Sequence, residues 1–146
     1  IEVRKTRPKM NTPFKCYIYC TLPKYPHEDF IATNYPMPQF YGGGKVIGEF
    51  TCERIALIAY DGGELSSTTN AAFSPATCLT QSEIIAYIGD KGRCYGWHMS
   101  NLRIYDTPRE LSEFTGLRNT RFGAEPYDIK RPPQSWGYVQ EVTCDE

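Results

Sequence analysis

The sequence predicts an α+β fold, a small mixed β-barrel with two or more short helices packed at its side. Two observations favour it: most segments between turn residues have the composition of strands, and two short stretches between them carry helix-start signals. No repeat, heptad pattern or regular alternation of strand and helix is present, which argues against a doubly wound sheet. The chain has 146 residues, of which 40% are hydrophobic and 23% are charged. This length and composition are typical of a soluble globular protein, and residues 1–146 are predicted to form a single domain.

The first nine residues predict a strand followed by a basic turn. Ile1 and Val3 alternate with Glu2 and Arg4, so one face is apolar and the other is charged. The chain does not begin with Met, so we expect that a segment preceded Ile1. Residues 1–24 contain six basic side chains and one carboxylate, whereas the rest of the chain is acidic overall. This pattern favours local contact with phosphates over wrapping of duplex DNA. The alternative role for the basic residues is to keep a solvated edge strand from pairing with other sheets and aggregating.

Three longer strands are predicted next. Phe14–Leu22 is apolar on both faces, which is typical of a central strand covered on both sides. Lys45–Tyr60 contains Gly48, which indicates a bulge or the close approach of a ligand or of another backbone. Glu49 beside it is either an outward carboxylate or a pocket residue. Arg93–Tyr105 is predicted to kink around residues 96–98.

Two capping boxes predict the helices. Thr80 with Glu83 three residues later starts a short helix that stops at Gly89. Thr107 as N-cap, with Pro108 at the first helical position and Glu110 at the third, predicts a second helix that ends near Gly116.

The remaining segments are predicted as insertions, a loop and a last strand. Residues 23–43 and 61–79 are rich in breakers or small polar residues and indicate insertions outside the main sheet. Residues 115–131 are polar and basic, which is typical of a loop. Gly137–Thr143 alternates as a strand of ambiguous burial.

The cysteines and glycines indicate neither a metal nor a cofactor. No Cys-x-x-Cys pair occurs among the six cysteines, and four residues along a strand hold Cys16 and Cys20 about 13 Å apart, too far for a disulfide. We therefore expect reduced thiols in a cytoplasmic protein. The run Gly42–Lys45 lacks the spacing of a phosphate loop. No apolar run approaches the ~20 residues that span a membrane.

Five ordered segments carry a family resemblance: Ile1–Lys5, Cys16–Cys20, Val46–Phe50, Trp97–Leu102 and Pro132–Trp136. Together they resemble ASCH-domain proteins, a branch of the PUA-like superfamily. The resemblance implies a PUA-like β-barrel and, beside it, a cleft for RNA or a modified nucleobase. Arg4 matches the arginine of the family's signature, whose Gly-x-Lys start has no counterpart in this chain. In members that resemble amidohydrolases on acetylated cytidine, a Lys and a Thr of that missing part act with a downstream Glu; Glu83 is the candidate here, and helix capping is its alternative role.

The candidate ligand-binding residues combine charge, aromatic rings and amides: Glu2, Arg4, Lys5, Glu49, Trp97, His98, Gln134, Ser135 and Trp136. Arg4 offers a planar fork of donors, and the two tryptophans offer stacking faces. His98 is also a candidate for moving a proton. The alternatives are that the tryptophans anchor a core, that His98 is structural, and that Arg4 pairs with Glu2 or Glu49.

These residues favour a module that binds RNA or a modified nucleotide. The first alternative is a hydrolase, either the amidohydrolase or a metal-assisted ribonuclease, although no carboxylate cluster is evident. The second alternative is a protein-interaction module of a phage or mobile element.

Overall fold

The computed structural model describes residues 1–21, 43–67 and 76–143 of the chain. The chain folds into two compact units. The first unit comprises Ile1–Cys16 and Phe50–Leu102, and the second comprises Tyr17–Glu49 and Arg103–Glu146.

The described strands form two antiparallel sheets. In chain order the strands are β1 (Glu2–Arg4), β2 (Phe14–Cys20), β3 (Lys45–Asp61), β4 (Glu64–Ser67), β5 (Arg93–Arg109), β6 (Thr115–Thr120), β7 (Gly123–Asp128) and β8 (Tyr138–Val139). One sheet has the order β1-β5-β3-β2, with β4 pairing with β3, and the other has the order β7-β6-β8. Helix α1 spans Gln81–Ile88, and 3₁₀ turns span Gly89–Lys91 and Leu111–Glu113.

The predicted α+β barrel is wrong. The fold is mainly β, and the sheets that the described strands form are open rather than closed into a barrel. The first predicted helix is confirmed: Thr80 and Glu83 cap it reciprocally, and it ends before Gly89. The second is replaced by the end of β5, because Thr107–Arg109 stay extended, and by the short turn Leu111–Glu113. Helix α1 is the one α-helix that lies wholly within the described residues, so that part of the chain does not supply the two or more helices expected at the side of a barrel.

Other strand predictions also need correction. Residues 115–131, expected to be a loop, contain the hairpin of β6 and β7. β2 was expected to be a central strand, but among the described strands it is the outermost one at one side of its sheet. β5 runs without a break through residues 96–98, and its left-handed residue is Asn101, with φ 51°. Of the predicted insertions, residues 23–42 and 68–75 lie outside the described residues, and the hairpin turn and β4 occupy positions 61–67.

Gly48 fits the prediction of a close backbone approach. A Cβ atom there would overlap the backbone carbonyl oxygen of Arg103 and lie 3.2 Å from the Cα of Ile104. Glycine is therefore the residue that lets β3 and β5 pass this closely in the second unit.

Each unit has a core of its own. In the first unit, helix α1 packs Ile84 and Ile88 against Ile58 of β3 and Cys94 of β5. In the second, Val46, Tyr105 and Phe114 form the buried cluster. The ring of Tyr17 meets that of Phe114 edge to face at 5.0 Å between centroids.

Candidate functional site

Antiparallel pairing of β1 with β5 brings two basic segments together in the first unit. Arg4, the last residue of β1, lies opposite Tyr95, near the start of β5. Residues 5–7, which leave β1, therefore run towards residues 91–93, which lead into β5. More than eighty positions separate the two segments in the chain.

These segments line an open depression of about 300 Å³. Its lining residues are Lys5, Thr6, Arg7, Lys91, Arg93 and Tyr95. Four of the six are cations, all four are exposed, and no carboxylate is among them.

The positive charge of this basic depression is not neutralised within the described part of the chain. Across residues 1–21, 43–67 and 76–143, the side chains of Arg7, Lys91 and Arg93 form no ion pair. The ammonium of Lys5 lies 5.2 Å from the centre of the Tyr87 ring, which leaves its charge in place. Uncompensated cations grouped on one concave surface attract anions.

The residues predicted from β1 have different surroundings. Arg4 forms an ion pair with Glu2 at 2.8 Å. Pairing with Glu2 or with Glu49 was the alternative to ligand binding for this arginine. Lys5, by contrast, lines the basic depression.

Trp97 lies in the core of the first unit. It is 6% exposed, and its ring meets Phe14 edge to face at 5.8 Å between centroids. A ring this buried presents no face for a base to stack on.

His98 is half-buried next to Trp97. Its Nε2 atom is buried and has no hydrogen-bond partner among the described residues. Burial, and then the positive charge of Arg54, lower the pKa of His98, because both disfavour the imidazolium. The neutral imidazole is therefore the favoured form, and it adds no charge to this unit at neutral pH.

Glu83, the candidate catalytic carboxylate, caps helix α1. Its Oε2 accepts hydrogen bonds from the backbone N–H of Thr80 at 2.7 Å and from the Thr80 hydroxyl at 3.0 Å. These bonds lower the pKa of Glu83, since they stabilise the carboxylate. A carboxylate whose oxygen already accepts two hydrogen bonds, and whose pKa they lower, is a weakened general base.

The other predicted ligand residues belong to the second unit. Glu49 accepts a hydrogen bond from the Tyr105 hydroxyl at 2.7 Å. Trp136 is half-buried, with its ring edge to face with that of Tyr138 at 5.2 Å. Gln134 and Ser135 are exposed. The nine predicted ligand residues are thus shared between two compact units.

Three of the described thiols, those of Cys16, Cys52 and Cys94, are poor nucleophiles. Burial raises the pKa of Cys16 to about 12, with a smaller contribution from Cys52, and burial raises that of Cys94 to about 11. Burial also raises the pKa of Cys52. Because the thiolate is the reactive form, these groups are inert at neutral pH.

Sequence reasoning missed five of the six residues that line the basic depression: Thr6, Arg7, Lys91, Arg93 and Tyr95. The basic residues of the depression are divided between the turn after β1 and the turn before β5. Each of these two segments is too short to be recognised as a basic site on its own. Only the pairing of β1 with β5, which no local pattern specifies, joins them.

The described residues contain neither a metal-binding cluster nor a membrane-spanning helix. No three His, Cys, Asp or Glu side chains among them lie close enough together to hold a metal ion. No helix in that part of the chain has the length and apolar character needed to cross a membrane. Comparison of the chain with family models, curated proteins and solved structures returned no match.

Proposed function

We propose that the chain binds RNA or a modified nucleotide, and that the basic depression of the first unit receives its phosphate groups. The observation that carries this proposal is the set of cations without carboxylate partners: among the described residues, Arg7, Lys91 and Arg93 form no ion pair. Phosphate oxygens are natural ligands for such cations, because guanidinium groups bind them through two hydrogen bonds and ammonium groups act as point charges.

The aromatic part of the proposed site is smaller than the sequence indicated. Tyr95 lines the depression and offers its ring to a sugar or a base. Trp97, buried in the core, does not take that role.

The overall charge of the chain favours a local contact. The formal net charge is −1, so the body of the protein repels a long polyanion while the depression attracts it. This combination supports binding of a short single-stranded segment or of a nucleotide, and it does not support a duplex that follows an extended basic surface.

No observation favours the hydrolase. The carboxylate proposed for it, Glu83, is engaged by Thr80, and the thiols of Cys16, Cys52 and Cys94 have raised pKa values. A cytoplasmic location is part of the binding proposal, and it is supported by the five free cysteines among the described residues.

Fluorescence anisotropy with a labelled single-stranded RNA tests the proposal. We expect the triple variant Arg7→Gln/Lys91→Gln/Arg93→Gln to bind about tenfold more weakly or worse at moderate salt, because three phosphate contacts are lost. The slope of log K against log salt should decrease by about 0.7 for each contact removed. All three side chains are exposed, so the variant should fold.

A charge control removes one cation from the second unit, outside the basic depression. Arg121 lies over the Phe122 ring at 4.6 Å, and Arg121→Gln changes the net charge as each single substitution in the depression does. We expect this variant to bind RNA as the unaltered protein does. Equal binding by the triple variant and the unaltered protein, or no RNA binding by the unaltered protein, would overturn the proposal.

A further inference from the structure

We infer that the basic depression recognises the terminal phosphate of an RNA strand, a phosphomonoester, in preference to the phosphodiesters along the strand. This inference rests on the proposed function and names the part of the ligand that the depression contacts.

The four cations of the depression lie close together at one end of the β1–β5 pair. Lys5 and Arg7 follow the end of β1, and Lys91 and Arg93 lie at the start of β5, so all four are gathered at one end of a strand pair. A surface that follows a nucleic-acid backbone needs cations spaced along its path. Cations gathered at one point fit one concentrated charge better.

The size of the depression fits a small group. A depression of about 300 Å³ is at the lower limit of ligand-pocket volumes. It has room for a phosphate group with its sugar, and the rest of a longer strand would extend beyond it into solvent.

The charge of the depression fits a phosphomonoester. A terminal phosphate carries a charge of about −1.5 to −2 at pH 7 and offers three acceptor oxygens, whereas an internal phosphodiester carries one charge. Four cations without a lining carboxylate therefore match the monoester better. The guanidinium groups of Arg7 and Arg93 can each hold two of its oxygens.

The test uses three single-stranded RNAs with the label on the end opposite the one under study. The first RNA carries a 5′-phosphate, and the second has the same sequence with a 5′-hydroxyl. The third also has a 5′-hydroxyl but is two nucleotides longer, so its total charge matches that of the first. A fourth RNA with a 3′-phosphate distinguishes the two ends that carry this chemistry.

We expect an RNA with a terminal phosphate to bind about tenfold more tightly than both hydroxyl-ended RNAs, the equivalent of about one charge-assisted hydrogen bond. Arg93→Gln should abolish this preference, and Arg121→Gln should retain it.

Two results would overturn the inference and leave the proposed function standing. One is tight binding of all RNAs with the same affinity. The other is a preference for the terminal phosphate that Arg93→Gln leaves unchanged, since the added charge would then act elsewhere. If no RNA binds, the proposed function and the inference fail together.

Discussion

In the first unit the cations of the basic depression have no carboxylate partner among the described residues, whereas in the second unit several cations do. Lys45 contacts Glu110 at 2.7 Å, and Arg109 contacts Glu113 at 3.2 Å. Exposed ion pairs of this kind add little stability, but they cancel charge at short range. The second unit thus neutralises part of its charge internally, and the first leaves charge for an external anion.

The two cores differ in a related way. The buried cluster of the first unit consists of Ile58, Ile84, Ile88 and Cys94. The cluster of the second unit contains Tyr105, whose hydroxyl donates to the Glu49 carboxylate. A side-chain hydrogen bond therefore helps to hold the second core together. The three isoleucines of the first core have no polar side-chain atoms, and the thiol of Cys94 is only a weak hydrogen-bond donor.

The largest expected effect is the loss of a core aromatic ring in the second unit, compared with the loss of one methyl group in the core of the first. Phe114→Ala should lower the free energy of unfolding by about 3–5 kcal/mol, since Phe114 is 3% exposed and contacts the ring of Tyr17. The control in the first unit, Ile84→Val, should cost only about 0.5–1.5 kcal/mol. Urea unfolding followed by tryptophan fluorescence measures both. A cost below that of Ile84→Val would mean that Phe114 does not anchor its core.

A smaller effect tests the polar bond of the second core. Tyr105→Phe should lower the free energy of unfolding by about 1–2 kcal/mol, because the partly buried Glu49 carboxylate loses its hydrogen-bond donor. Tyr95→Phe, the same change in the lining of the basic depression, should stay within about 0.5 kcal/mol of the unaltered protein. The same urea titration compares them, and equal losses would remove this difference between the units.

The smallest effect concerns the charges. Arg109→Gln should destabilise the protein by about 0.5–1 kcal/mol, since it removes the pair with Glu113 and a guanidinium that lies 5.2 Å from the Phe114 ring. Arg93→Gln should leave the thermal midpoint unchanged or raise it, because it relieves repulsion among neighbouring cations. Differential scanning fluorimetry at low salt reports both, and a lower midpoint for Arg93→Gln would indicate a carboxylate partner for that side chain.

Local signals predicted part of this structure. Thr80 and Glu83 lie three residues apart, so their capping box depends on no distant contact, and α1 is confirmed. The box at Thr107 failed because pairing of β5 kept those residues extended. A box three residues later, between Glu110 and Glu113, formed in its place.

Long-range pairing decided the rest. The hairpin of β6 and β7 was not predicted because its residues are polar and because Pro126 lies within β7. Proline is tolerated there because β7 is the outermost of the described strands in its sheet. The candidate site was hidden for the same reason. Lys5 was a candidate for ligand binding, but its neighbours Lys91 and Arg93 reach it only through the pairing of β1 with β5.

Position 48 limits the mutational paths open to the second unit. The atom that a Cβ of residue 48 would meet is the carbonyl oxygen of Arg103, which belongs to the backbone and has no rotamer that moves it aside. Any other residue at position 48 requires strand β5 to shift first. Neutral drift can therefore alter the exposed charges of this unit one at a time, while Gly48 changes only together with the backbone that faces it.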